Sequence, residues 1–199
     1  MTWLILFFSI LSIQHYTVDP IIDIAVDNCK NVTPNRVEEA RRIAHMIYMV
    51  ERLFDVPEEL KGMTLAAACL ESGFNPRAQG DRKFSKDKKT PKAIGIMQLW
   101  SWWEKGKYGY QIDRRDPVKS VFAWMSHIKK QLPKIKKRCR PRSEKKAWIQ
   151  AWVHAVRAPK PTGRCREKPK HLRYLLKIQR VYGEMQNTRM KTPDNVKHN

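Results

Sequence analysis

Met63-Thr64-Leu65-Ala66-Ala67-Ala68-Cys69-Leu70-Glu71-Ser72-Gly73 is the stretch on which the fold and the chemistry of this chain turn. It is apolar on nearly every side of a helical wheel, and a helix of that kind belongs inside a protein. The spacing predicts a helix from about Pro57 to Ser72, with Gly73 as its stop. Glu71 then stands at the end of a buried helix. Burial removes solvation from a carboxylate, and a helix C-terminus carries partial negative charge. Both favour the protonated acid, which near neutral pH can donate its proton to a leaving oxygen. The plain alternative is a last-turn glutamate turned to solvent.

Upstream, Thr33-Pro34 reads as an N-cap and first helical position. Val37, Ala40, Ile43, Ala44, Ile47, Val50 and Phe54 follow at helical spacing, and Asp55-Val56-Pro57 breaks that helix. Asp19 to Asn31 reads as an acidic linker. Trp3 to Ile13 is almost wholly apolar. It is shorter than the roughly 20 residues of a spanning helix and matches the core of a secretory signal. No Lys or Arg precedes it, and no A-x-A-like site follows. Export, or membrane contact through residues 3–13, is the expectation; docking on the body of the protein is the alternative.

Downstream, residues 74–93 read as a loop and Ala93 to Trp103 as a short helix. Asp116-Pro117 opens a helix carrying Val121, Phe122, Met125, Ile128 and Leu132, ending near Leu132. Ser143 caps the next, which carries Ala147, Trp148, Ala151, Trp152 and Ala155. Residues 157–170 form a Pro/Gly/Lys/Arg loop, His171 to Met185 a last helix, and the end from Thr188 is polar and frayed. There is no internal repeat and no β-hairpin signal, so the class is mainly α.

The chain has 199 residues, 42% of them apolar, and a formal net charge of +21. That suffices for one cored domain with extensions. The charge implies attraction to polyanions and says nothing of fold. Basic residues are densest after Lys129, as in Lys134-Ile135-Lys136-Lys137-Arg138; a solvated face would look the same. No zinc finger, RRM or similar signature supports specific nucleic-acid binding. Of the four cysteines, Cys29, Cys69, Cys139 and Cys165, Cys69 reads as a small core residue, and Cys139 and Cys165 could pair if the chain is exported. No Cys or His group has zinc spacing, and nothing implies a metal or organic cofactor.

Glu71-Ser72-Gly73-Phe74-Asn75-Pro76-Arg77-Ala78 closely resembles the signature of the soluble lytic transglycosylase family. Ile43 to Phe54, Asp55-Val56-Pro57 and Leu65 to Ala68 are similar to that family's first helix, turn and second helix. Gly95-Ile96-Met97-Gln98-Leu99 is similar to its Gly-Leu-Met-Gln type segment, and Asp116-Pro117 to a later helix start. The resemblance covers about residues 37–156. A Glu-Ser-Gly alone is weak; ordered ahead of Gly-Ile-Met-Gln it is strong.

The resemblance implies a lysozyme-like helical domain over 33–160. It would be preceded by an apolar segment and linker (1–32) and followed by a basic helix and tail (161–199). It implies that peptidoglycan glycan strands are the substrate. Glu71 would protonate the glycosidic oxygen between N-acetylmuramic acid and N-acetylglucosamine, then act as base while the muramyl 6-hydroxyl closes a 1,6-anhydro ring. The substrate's acetamido group would replace the second carboxylate of the usual scheme. Ser72 would hydrogen-bond near the acid or the sugar, Gly95 would allow close backbone approach, and Met97 would border the cleft. Gln98 would reach a sugar polar group, and Trp100 would offer a stacking face. Trp102, Trp103, Tyr108 and Tyr110 are further aromatic candidates, with packing as the default for each.

One departure stands out. The family's Tyr-Asn-Ala-Gly segment, whose Tyr supports the acid, is matched here by Val153-His154-Ala155-Val156. That role falls to His154 or Trp152, or is unfilled. The alternatives are an inactive peptidoglycan-binding or structural protein of the same fold and a muramidase-type hydrolase drawing on Asp81, Glu104, Asp113 or Asp116. A non-specific nucleic-acid binder is a further one. The expected setting is the periplasm or another exported, envelope location, with anionic wall polymers as further partners and a virion as the alternative. A monomer, or a part of a larger assembly, is expected.

Overall fold

Helix α3 (Met63–Ser72) lies at the centre, and every residue from Met63 to Cys69 is buried. Around it the computed structural model, which describes residues 19–106, 110–156, 165 and 171–191, sets α1 (Pro20–Asp27), α2 (Val37–Glu51) and α6 (Leu172–Lys191). Helices α4 (Pro117–Cys139) and α5 (Glu144–Val156) pair with each other, and α4 also packs on α2. A small antiparallel sheet of β1 (Gln79–Gly80), β2 (Ala93–Ile94) and β3 (Leu99–Trp100) links α3 to α4. Its register pairs Gln79 with Ile94, and Ala93 with Trp100. The class is mainly α.

Glu51 determines where α3 begins. Its carboxylate is buried and accepts the backbone N–H groups of Gly62 (2.5 Å) and Thr64 (2.7 Å) and the Thr64 hydroxyl (2.8 Å). It therefore caps the N-terminus of α3 from the last residue of α2, satisfying N–H groups that a helix start leaves orphaned. The helix expected from Pro57 begins instead at Met63. Residues Glu58–Leu60 form a 3₁₀ turn, and Gly62 sits in the left-handed region at φ +86°.

At the other end, Gly73 (φ +59°) and Phe74 (φ +57°) turn the chain away. The Asn31 side-chain amide donates to the Cys69 carbonyl, and a Cβ on Gly73 would come within 2.2 Å of the Asn31 carbonyl oxygen. Only glycine fits there. The backbone from 29 to 31 is anchored by a disulfide between Cys29 and Cys69. Cys69 is thus not the free core thiol expected, because α1 brings Cys29 within bonding reach across 40 residues of sequence.

Four further expectations are corrected. The linker at 19–31 contains α1, capped by Asp19 and opened by Pro20, with Ile21, Ile22, Ile24, Ala25 and Val26 buried. The short helix expected at 93–103 is β2, a four-residue turn, β3 and a 3₁₀ turn over Ser101–Trp103. Strands of two residues carry no period that a sequence can display. Helix α4 does not stop near Leu132. It runs through Pro133 to Cys139, because Ile135 is buried and Cys139 is bonded to Cys165. Helix α6 reaches Lys191, past Thr188, and Leu175 and Ile178 join the common core. The Ser143 cap is as read: its hydroxyl accepts the Lys146 N–H. Among the described residues no helix is long and apolar enough to cross a membrane. Residues 3–13, Tyr108, the His154 side chain and most of 157–170 lie outside the described residues.

Candidate active site

Glu71 occupies the last turn of α3, and its side chain is 17% exposed. One carboxyl oxygen, Oε1, lies 2.8 Å from Nε2 of His171. His171 is one hundred residues away in sequence and its side chain is 1% exposed. It caps α6 by backbone: its carbonyl accepts the N–H groups of Tyr174 (3.1 Å) and Leu175 (3.0 Å). Helix α6 is fixed in turn by Tyr174, whose hydroxyl donates to the Ala25 carbonyl (2.6 Å), and by Gln179, whose amide donates to the Lys61 carbonyl (3.0 Å). Burial pushes the Tyr174 phenol well above its ordinary range, which keeps it a donor.

The His171 ring lies flat against Trp152 of α5, centroids 5.8 Å apart and planes within 10°. Trp152 meets Trp124 of α4 edge-on at 6.1 Å. Trp124, Trp152 and His171, the last just ahead of α6, thus stand in a row that ends on the Glu71 carboxyl. Trp152 lies behind the His171 ring, and His171 contacts Glu71. His171 had no local signal, since it lies outside the stretch that resembles the family.

The second motif is tied to the first by Ser72. Its hydroxyl oxygen lies 2.9 Å from the Ile96 carbonyl and 3.1 Å from the Ala68 carbonyl, and it accepts the Asn75 N–H at 3.2 Å. This joins the end of α3 to the turn between β2 and β3. Gly95 opens that turn at φ +81° and Gln98 closes it at φ +48°. A Cβ on Gly95 would lie 1.9 Å from the Arg114 carbonyl oxygen, so the close approach there is to the protein's own backbone. Gln98 wraps back, its amide nitrogen donating to the carbonyls of Gly95 (2.8 Å) and Ala78 (3.3 Å). Both amide hydrogens are engaged, and Oε1 stands where a side chain on Gly80 would be. Met97 is buried in the core.

Arg114 holds this turn from behind. It is 5% exposed; one terminal nitrogen donates to the carbonyls of Lys92 (3.0 Å) and Leu99 (2.9 Å) and the other to Glu104 (2.9 Å), while Nε stands 2.8 Å from the second Glu104 oxygen as an ion pair. Nothing in the sequence singled it out, although the spread of donors on a guanidinium suits such a junction. Trp100 is half-buried; its indole N–H donates to Asp81 (2.9 Å), and its ring lies 5.8 Å from exposed Phe84. Trp103 is buried, with Trp102 stacked on it at 4.5 Å and Tyr110 tilted against it at 5.1 Å. Trp103 also meets His127 edge-on; burial, then Lys130 and Lys134, lowers the pKa of that imidazole.

The other candidate acids have structural partners. Asp81 accepts from Trp100, Glu104 pairs with Arg114, Asp113 accepts the Arg115 N–H, and Asp116 caps α4 through the Lys119 N–H. Among the described residues no cluster of His, Cys, Asp and Glu has the makings of a metal site. No family model, no curated protein and no solved structure matches the chain.

Proposed function

We propose that this protein is a lytic transglycosylase of lysozyme-like fold that cleaves the glycan strands of peptidoglycan. The observation that carries the reading is a carboxyl at the end of a buried helix, Glu71, with one oxygen on a buried imidazole and part of its surface open to solvent. Such a group is held in a fixed orientation while part of its surface stays accessible to a bound substrate. Glu71 protonates the glycosidic oxygen as the bond to the muramyl anomeric carbon breaks. It then takes the proton of the muramyl 6-hydroxyl as that oxygen closes on the same carbon. The engagement of Asp81, Glu104, Asp113 and Asp116 in caps and pairs favours a single-acid scheme over the two-carboxylate hydrolase.

The setting follows the same lines. Two disulfides, Cys29–Cys69 and Cys139–Cys165, suit an oxidising compartment and hence an exported protein. The charge of +21 suits a protein working among anionic wall polymers. The test is release of soluble fragments from purified sacculi by the wild type and by the Glu71→Gln, Glu104→Gln and Asp81→Asn variants. Loss of release confined to Glu71→Gln supports the reading. Equal release by Glu71→Gln and wild type overturns it.

A further inference from the structure

We infer that His171, delivered at the start of the C-terminal helix, is a positioning residue for the acid: it holds Oε1 of Glu71. This rests on Glu71 being the acid. The C-terminal segment is then part of the active centre rather than a basic appendage to it.

The direction of the hydrogen bond follows from the two ring nitrogens. Nε2 lies 2.8 Å from Glu71 Oε1, while Nδ1 is buried with no hydrogen-bond partner among the described residues. A proton on Nδ1 would be an orphaned buried N–H, which proteins rarely tolerate, whereas an unpaired buried acceptor is less costly. The proton therefore sits on Nε2, and the imidazole donates to Glu71.

The ring itself has little freedom. Trp152 lies flat against one face, Trp124 pins Trp152, and the backbone of His171 caps α6. Offset stacking and full burial fix the imidazole plane, and the plane fixes the donor direction. The serine hydroxyl nearest the acid, Ser72, is turned to the Ile96 and Ala68 carbonyls and holds a loop instead. His171 is a side chain placed to orient the carboxyl.

The test separates the donor from the packing. His171→Phe keeps a flat ring against Trp152 and removes the donor. His171→Gln removes the ring and returns an N–H near the position of Nε2. On a defined glycan oligomer, His171→Phe should lower kcat about 100-fold with KM changed by less than a few-fold, as expected when a reacting group is misplaced by about an ångström. His171→Gln should recover most of that loss, and the basic limb of the pH–rate profile, which reports loss of the proton from the acid, should move in the first variant and return in the second. Equal activity of His171→Phe and wild type, or equal losses in both variants with unchanged pH profiles, would overturn the inference. If the wild type cleaves no glycan at all, the catalytic reading fails by itself. The contact is then read by ¹³C NMR of the Glu71 carboxyl, whose resonance should differ between wild type and His171→Phe. An unchanged resonance would overturn the contact as well.

Discussion

Gly95→Ala should be strongly destabilising for a single added methyl, and its cost can be worked from two neighbours. Gly95 has φ +81°, and a Cβ there would lie 1.9 Å from the Arg114 carbonyl oxygen. That carbonyl cannot easily yield: it accepts the Ser120 hydroxyl at 3.0 Å, and the Arg114 side chain is clamped by Lys92, Leu99 and Glu104. Gly106 is the control, with φ +69° and nothing within 4 Å of its would-be Cβ. Gly106→Ala therefore meets backbone strain alone, about 1 kcal/mol. Gly95→Ala meets the same strain and must also displace one of two backbones, for a total of about 3–4 kcal/mol. At roughly 2–4 °C per kcal/mol for a chain of this size, Tm should fall by about 10 °C in Gly95→Ala and by about 3 °C in Gly106→Ala. Thermal unfolding followed by circular dichroism reads both. Equal melting of the two variants would refute the clash, and with it the close packing of the 95–98 turn on Arg114. Because Ile96 of that turn is bonded to Ser72, residual activity should fall before the fold melts.

Three other outcomes are expected. Burial lifts the Glu51 carboxyl from its ordinary 4.5 to about 6, against the three donors it accepts. A raised folded pKa gives stability that is complete below pH 4.5 and lost as pH rises through 6, about 2 kcal/mol at 1.36 kcal/mol per unit; urea unfolding should show this decline in the wild type and not in Glu51→Gln, and equal slopes would contradict it. Removing the Cys29–Cys69 link, which closes 40 residues, should cost about 4 kcal/mol, and removing the Cys139–Cys165 link, which closes 26, about 3.5 kcal/mol by chain entropy; denaturant midpoints of the paired Cys→Ser variants check both, and unchanged midpoints count against native pairing. Arg114→Lys, which cannot keep two carbonyls and the Glu104 pair at once, should cost about 2–3 kcal/mol, read as a shift in urea midpoint and absent if the guanidinium contributes nothing.

Much of the scaffold is legible in the residues because it rests on local chemistry. The apolar face of α2, the all-round burial of α3 and its stop at Gly73 are spelled out over short spans, as are the caps at Asp116 and Ser143. So is the position of Glu71 at a helix end. Helix α1 was legible too, through Asp19-Pro20 followed by three isoleucines, but the acidic residues around it read as linker. Other features depend on partners far along the chain. The strands are two residues long and exist because Gly95 and Gln98 reverse the backbone between them. Cys69 meets Cys29 only once α1 packs on α3. The support of Glu71 was sought within α5, where the resemblance ends; a contact comes from His171 at the start of α6, with Trp152 of α5 behind that ring. Ser72, Gly95 and Gln98 stand together as expected, but their polar groups hold backbone to backbone.

The measurement that bears most directly on the central claim is the mass of the products. Sacculi digested with the full-length protein should yield muropeptides ending in 1,6-anhydro-N-acetylmuramic acid, lighter by one water than reducing ends and absent from a Glu71→Gln digest. Reducing ends from the wild type would mean that water, not the muramyl 6-hydroxyl, attacks, and would contradict the single-acid account.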